Sequence, residues 1–515
     1  MKWTTLLLLS ASGMAASAAL VWTAVDSASG SEPGVVGARA RVEPATRVEP
    51  ARPADDRSRF RAGGTLQMEA RLGHAVLPSA TDSQTYMFVE VHPAPDRRPP
   101  VSAPLNLAIV MDRSGSMKGK RLRNAVAAAR SAVQRLRDGD VVSVVTYNTA
   151  ADVLISPTVV DAASRVRLLG RIDSVRAGGD TCISCGVDTG MRLLGQRAGM
   201  VGRILLLSDG EATAGVRDVD GFRRQAEDCR RMGASITTIG VDVDYNERIM
   251  AALARESNGR HFFVESPTGL PSIFDQEMES LASTVANRAE LTVDLSPGVF
   301  AEQVYDRSSV TRGSQLVVPL GAFAASDRKT LLVRLRVPRG SAGQRPVAAV
   351  RLRYDDLTAS GAAGSSDGAL FARLTDDSSQ VAPLDGVVSA RLSSSVTAAA
   401  LEEANELARA GRAADARKLV QDKAGLIAGR RRDARAATAK PAETVVLDRS
   451  FERQEKALAD AEGGFAQPPA ADPAAAPPGG AGPATGSTGD EEAESDRRTR
   501  RRIRSNQKDA FDLGE

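Results

Sequence analysis

Apolar residues dominate the run Leu105-Asn106-Leu107-Ala108-Ile109-Val110-Met111, which stops abruptly at Asp112-Arg113-Ser114-Gly115-Ser116. An aliphatic, β-branched run of this length predicts a strand buried on both faces, ending at a polar turn where a helix begins. Leu122, Ala125, Ala129, Val133 and Leu136 then recur at helical spacing, which predicts an amphipathic helix over 119–137. The same alternation continues. Strands are predicted at 141–147, 203–208, 235–241 and 261–264, and helices at 162–172, 183–194, 219–232, 247–256 and 270–286. Strands alternating with helices of this length predict an α/β domain, a doubly wound and mostly parallel sheet over 102–286. Ligands in such sheets bind outside the carboxyl ends of the strands.

On either side the period changes. Tyr86-Met87-Phe88-Val89-Glu90-Val91 alternates as a strand, so 61–100 reads as a β segment preceding the main domain. Short strands separated by Gly, Ser and Pro make 287–392 an accessory antiparallel, sandwich-like β domain, with the segment before Pro93 as candidate completing strands. Helical periodicity returns over 393–462 as a hairpin with Gly411 as the stop between its two helices.

The ends are compositionally biased. Residues 4–25 carry no charge after Lys2, so 1–25 reads as a signal peptide or a retained N-terminal anchor. Residues 26–60 are rich in Ala, Pro, Arg and Glu and are expected to be a disordered linker. From 463 the chain is Ala, Pro and Gly, then acidic, then six arginines between Arg497 and Arg504, so 463–515 is expected to be a disordered tail. Across all 515 residues, 67 basic and 64 acidic side chains leave a formal charge of +3, too small a field to argue for nucleic acid. Export to the periplasm, cell envelope or outside is expected, with membrane association only through the N-terminal segment.

The candidate chemistry lies at the end of the first predicted strand. Asp112, Ser114 and Ser116 place one carboxylate and two hydroxyls at alternate positions, and hard divalent cations prefer such oxygen ligands. Thr181 in Gly178-Gly179-Asp180-Thr181 and Asp209 in Leu206-Leu207-Ser208-Asp209-Gly210 fall at the same predicted sheet edge. Together these three motifs resemble the metal-ion-dependent adhesion site of von Willebrand factor type A domains. All five positions match in identity and chain order. The wider arrangement is similar to exported bacterial proteins of this family labelled calcium-activated chloride channel relatives, a label that is no evidence of a channel.

The resemblance implies that Ser114 and Ser116 bind the cation directly, and that Asp112 and Asp209 bind it directly or through water. Thr181 would engage directly in the high-affinity arrangement. Mg2+ is the implied ion, with Mn2+ or Ca2+ as alternatives, and a carboxylate from a partner protein would complete its shell. The implied function is non-enzymatic: metal-dependent protein binding, adhesion or envelope assembly.

Cys182 and Cys185 form a Cys-x-x-Cys beside Thr181, at the expected start of a helix. In an oxidising compartment a local disulfide is the expected state, and a thiol-disulfide oxidoreductase is the rival function. A purely structural envelope protein is the third reading. With three cysteines, four-cysteine zinc coordination is excluded. A Gly-x-Ser-x-Gly elbow and a phosphate-binding Gly-x-x-x-x-Gly-Lys-Ser loop are both missing, which argues against hydrolase and ATP chemistry.

Overall fold

Two of the first four strands pair with segments far downstream, so part of the chain before the α/β domain folds together with part of the chain after it. The computed structural model describes residues 57–95, 103–197, 199–242, 245–359, 361–438, 440–465 and 488–514. Strands β1 (Arg59–Gly63), β2 (Leu66–Leu72), β3 (Val76–Pro78) and β4 (Ser83–Pro93) come first. The α/β domain follows as β5 (Leu105–Asp112), α1 (Lys120–Arg135), β6 (Val141–Tyr147), β7 (Ala151–Val159), α2 (Ala162–Ile172) and α3 (Ile183–Leu194). It continues through β8 (Val201–Ser208), α4 (Val219–Arg231), β9 (Ala234–Val241), α5 (Glu247–Glu256), β10 (His261–Val264) and α6 (Leu270–Ala282).

The sheet order is β10-β9-β8-β5-β6-β7, parallel except for β7, which runs antiparallel to β6 at the edge. Every residue of β5, β6 and β9 is buried because helices cover both faces. The pleat of β5 divides its side chains between two layers. Leu105, Leu107, Ile109 and Met111 pack with residues of α1, α2 and α6, while Ala108 and Val110 pack with α3, α4 and α5. Helix α3 comes close because it is glycine-faced. A Cβ on Gly186 would lie 2.7 Å from Tyr147 Cδ1, and one on Gly190 would lie 2.8 Å from Val110 Cγ2. Strand β7 differs from the sequence expectation: apart from buried Ile155 its residues are exposed or half-buried, so it lacks the apolar run of the inner strands.

Helix α6 ends at Ala282 rather than 286. Thr284 opens β11 (Thr284–Leu295), whose Val285 and Ala286 enter the core of a second, β-sandwich layer. That layer adds β12 (Phe300–Tyr305), β13 (Val310–Arg312), β14 (Gln315–Ala324), β15 (Lys329–Val337), β16 (Gly343–Asp356) and β17 (Ala362–Thr375). Its sheets run β1-β2-β4-β15-β12 and β13-β14-β11-β16-β17-β3. Met68, Val89, Leu291, Val318, Val333 and Leu352 meet between them. The strands before Pro93 are therefore built into this sandwich, and β1 starts within the stretch expected to be linker.

Among the described residues four helices follow: α7 (Gly386–Arg409), α8 (Ala413–Ala436), α9 (Pro441–Phe465) and α10 (Thr488–Gly514). Gly411, at φ +77°, separates α7 from α8, a conformation that glycine adopts without a Cβ clash. Within the tail expected to be disordered from 463, residues 463–465 end α9 and residues 488–514 form α10 instead. Ile503, Ala510, Phe511 and Leu513 of α10 are buried: Ala510 and Leu513 among α7–α9, and Phe511 against Ala251 and Ala254 of α5. Composition missed this because the apolar positions of α10 are few, and partners supplied by the fold cover them. The expected signal or anchor and nearly all of the expected linker lie outside the described residues, as do 466–487. Among the described residues no helix is long and apolar enough to cross a membrane.

Candidate functional site

The carboxyl ends of β5 and β8 deliver two carboxylates, Asp112 and Asp209, both fully buried. Neighbouring parallel strands end at the same sheet edge, so register alone brings these residues together across the sequence. Asp112 Oδ1 accepts from the Ser114 backbone N–H at 2.8 Å, and its Oδ2 accepts from Ser208 Oγ at 3.0 Å. Burial, reinforced by the charge on Asp209, pushes the Asp112 carboxyl up to about 6 despite those hydrogen bonds. Asp209 is also raised by burial, an effect opposed by Ser116 and Arg121.

Ser114 Oγ and Ser116 Oγ are 3.0 Å apart, and Ser116 Oγ donates to Asp209 Oδ1 at 2.8 Å. Thr181 enters from the loop before α3. Its N–H donates to Thr213 Oγ1 at 2.9 Å, and its carbonyl accepts from the N–H groups of Thr213 and Ala214. A Cβ placed on Gly210 would lie 3.5 Å from Ser116 Oγ and 3.7 Å from Thr181 Oγ1, so both hydroxyls face the same bare glycine. The loops are cross-tied: Gly115 N–H donates to Gly179 O at 2.9 Å, and Gly178 N–H to Arg113 O at 2.7 Å. Asp180, which directly precedes Thr181, is exposed.

The five residues thus converge, four through direct hydrogen bonds and Thr181 across Gly210. Two carboxylates and three hydroxyls form an all-oxygen donor set, and two buried anionic groups need a compensating positive charge, so the set fits a hard divalent cation. Among the described residues no group of three or more His, Cys, Asp and Glu side chains could hold a metal. Any cation here relies on the hydroxyls.

Cys182 and Cys185 are joined by a disulfide across the first turn of α3, and Cys182 N–H donates to Asn148 O at 2.7 Å. Cys182 is buried, and Gly215 packs on it so closely that a Cβ would lie 2.6 Å from its Sγ. Cys229 is a buried free thiol, pushed up to about 12 by burial.

Sequence reasoning did not identify Ser208, Arg121 or Asp242. Arg121, in the first turn of α1, donates to Asp209 Oδ2 at 3.0 Å and to Asp242 Oδ2 at 2.5 Å. No spacing rule links these three positions, which lie at the end of β8, in the first turn of α1 and just after β9. Ser208 could have been suspected from its place beside Asp209 at a strand end.

Residues 106–276 match the family model of the von Willebrand factor type A domain. The chain is 26% identical over 271 residues to an uncharacterized protein of Synechocystis sp., covering 49% of this chain and 62% of that one. It is 27% identical over 225 residues to the uncharacterized protein YfbK of Escherichia coli, covering 43% and 39%. With inter-alpha-trypsin inhibitor heavy chain H2 of Mus musculus it shares 27% over 177 residues, covering 32% and 18%. The chain therefore spans less than two thirds of the length of each of these relatives. Among solved structures, von Willebrand factor type A from Catenulispora acidiphila aligns with a TM-score of 0.60 at 18% identity, over 71% of this chain and 89% of that chain. The ArnB paralog VWA2 from Sulfolobus acidocaldarius aligns with a TM-score of 0.52 at 18% identity, over 77% and 98%. The likeness to these structures is one of fold: a von Willebrand factor type A α/β domain with mixed sheets and helices.

Proposed function

We propose that the von Willebrand factor type A domain of this chain binds a protein partner through a divalent cation held by Asp112, Ser114, Ser116, Thr181 and Asp209. Domains of this type generally mediate protein–protein interaction or adhesion, and they are typically non-enzymatic. The observation that carries the reading is the convergence of Ser116 Oγ on Asp209 Oδ1 and of Thr181 Oγ1 on the same glycine, from three separate loops. A bound cation would supply a positive charge with a coordination position open to a carboxylate. The chain's own residues do the positioning. Ser208 and the Ser114 N–H hold Asp112 by both oxygens, and Thr213 and Ala214 hold Thr181 by its main chain. Mg2+ is the proposed ion, the partner is proposed to supply a carboxylate, and the chain is proposed to act outside the cytoplasm.

The disulfide is proposed as a brace for the Thr181 loop rather than a redox centre, because Cys182 is buried beneath Gly215. Titration calorimetry of the full chain with MgCl2 tests the reading. Binding to the wild type and none to Asp112→Ala supports it. Equal heats from both, or none from the wild type with either Mg2+ or Mn2+, overturn it.

A further inference from the structure

The carboxylate of Asp209 is already spoken for on both oxygens. Oδ1 accepts from Ser116 Oγ, and Oδ2 accepts from Arg121 Nη1 at 3.0 Å. The same Nη1 donates to Ser116 O at 3.1 Å, while Nη2 and Nε reach Asp242 Oδ2 at 2.5 and 3.2 Å. The guanidinium therefore spans two carboxylates of different exposure: Asp209 has no exposed side-chain surface, and Asp242 keeps 29% of its own. Asp242 is held for this contact in an uncommon conformation. It follows β9 at φ +62°, a left-handed geometry for a residue other than glycine, and its N–H donates to Val264 O at 3.0 Å.

A buried carboxylate beside a second buried carboxylate needs a counter-charge, and Arg121 supplies a permanent one. A divalent cation drawing on Asp209 would compete with that charge, which lies at hydrogen-bond distance from the same carboxylate. Resting on this reading of the cation site, we infer that Arg121 is a tethered counter-cation that competes with the divalent ion for Asp209, and that Asp242 is the carboxylate which takes the guanidinium when Asp209 is given up. The pair sets cation affinity: Arg121 lowers it, and Asp242 restores part of it by offering the arginine somewhere else to rest. Both are positioning residues, acting on the cation through Asp209.

The two substitutions have opposite expected signs. In calorimetric titrations of the full chain with MnCl2, Arg121→Gln binds about tenfold more tightly than wild type, since a unit charge is removed at hydrogen-bond distance from Asp209. Asp242→Asn binds several-fold more weakly. Arg121→Lys, which keeps the charge, stays near wild type. In the Arg121→Gln background Asp242→Asn loses most of its effect, because its partner is gone. With chelator present, Arg121→Gln melts below wild type, and Mn2+ raises its midpoint by more than it raises that of wild type.

If wild type binds Mn2+ and Arg121→Gln binds equally or more weakly, the competition is wrong while the cation site stands. Tightening by Arg121→Lys equal to that by Arg121→Gln would exclude charge as the cause. An undiminished effect of Asp242→Asn in the Arg121→Gln background would reduce Asp242 to a bare field effect and overturn its part. Absence of Mn2+ binding to all five proteins, wild type included, would instead remove the cation site itself. Should Arg121→Gln fail to fold, Arg121→Lys and Asp242→Asn still decide, since the inference requires the first to be neutral and the second to weaken binding.

Discussion

Ser116 Oγ donates to Asp209 Oδ1 at 2.8 Å although the two residues are 93 positions apart, one just beyond β5 and the other just beyond β8. This contact closes the site, because Ser116 also lies 3.0 Å from Ser114 Oγ and faces Gly210 alongside Thr181. Ser116 is exposed, so truncating it removes a ligand without opening the core. Ser116→Ala is expected to cost about 1 kcal/mol of metal-free stability or less and to weaken Mg2+ binding by at least about tenfold. Chemical denaturation with chelator and calorimetry with MgCl2 measure the two effects separately; unchanged Mg2+ affinity would contradict the assignment of Ser116.

The disulfide between Cys182 and Cys185 closes a very short loop at the start of α3. Chain-entropy reasoning for a loop of that size gives about 2 kcal/mol. The double variant Cys182→Ser/Cys185→Ser is expected to lose about that much in urea denaturation, and to bind Mg2+ more weakly because Thr181 directly precedes the bridge. Equal Mg2+ affinity in the bridged and unbridged proteins would show that the brace does not reach Thr181.

His261 is buried among Thr238, Tyr245 and Phe511. Its Nδ1 is 2.8 Å from Thr238 Oγ1 and its Nε2 is 3.3 Å from Tyr245 Oη. Burial, with Lys508 and Arg255 nearby, pushes it from the ordinary 6.5 down to about 3. The folded state therefore holds it neutral, and unfolding gains a proton below pH 6.5. Stability from this residue is complete above 6.5 and is lost as the pH falls toward 3, by about 1.4 kcal/mol per unit within that window. Urea midpoints of wild type are expected to fall more steeply than those of His261→Gln between these values. Parallel curves would show that His261 titrates normally.

Among the side chains that pin helix α10 to the α/β domain are Phe511 and Arg504. Phe511 packs on Ala251 and Ala254, and the buried Arg504 donates to Tyr245 O at 2.8 Å. Phe511→Ala is expected to cost about 3–5 kcal/mol if α10 unfolds with the rest. It should also speed proteolysis within 488–514. A tail cleaved equally fast in wild type and variant would mean that α10 is not docked.

Periodicity made most of the α/β domain legible. Ala162–Ile172, Ile183–Leu194, Glu247–Glu256 and His261–Val264 form the elements expected of them, because each buries a face that repeats along its own length. Where burial is poor the reading failed, as at the exposed edge strand β7. It also failed at α10, where composition outweighed a handful of apolar residues. The Asp-x-Ser-x-Ser turn, Thr181 and Asp209 could be read because an apolar strand or a glycine-rich loop brings each to the same sheet edge.

The sequence by itself determined the alternation of strand and helix, the turn that ends β5 and the oxygen-rich character of that edge, since these depend on neighbours a few residues away. Only the tertiary structure decided that Ser208 would hold Asp112, that Arg121 would bridge Asp209 and Asp242, and which strands before Pro93 would pair with which strands after Thr284 in the expected sandwich. Such contacts join residues far apart in the chain, and they exist only once sheet register has fixed which ends meet.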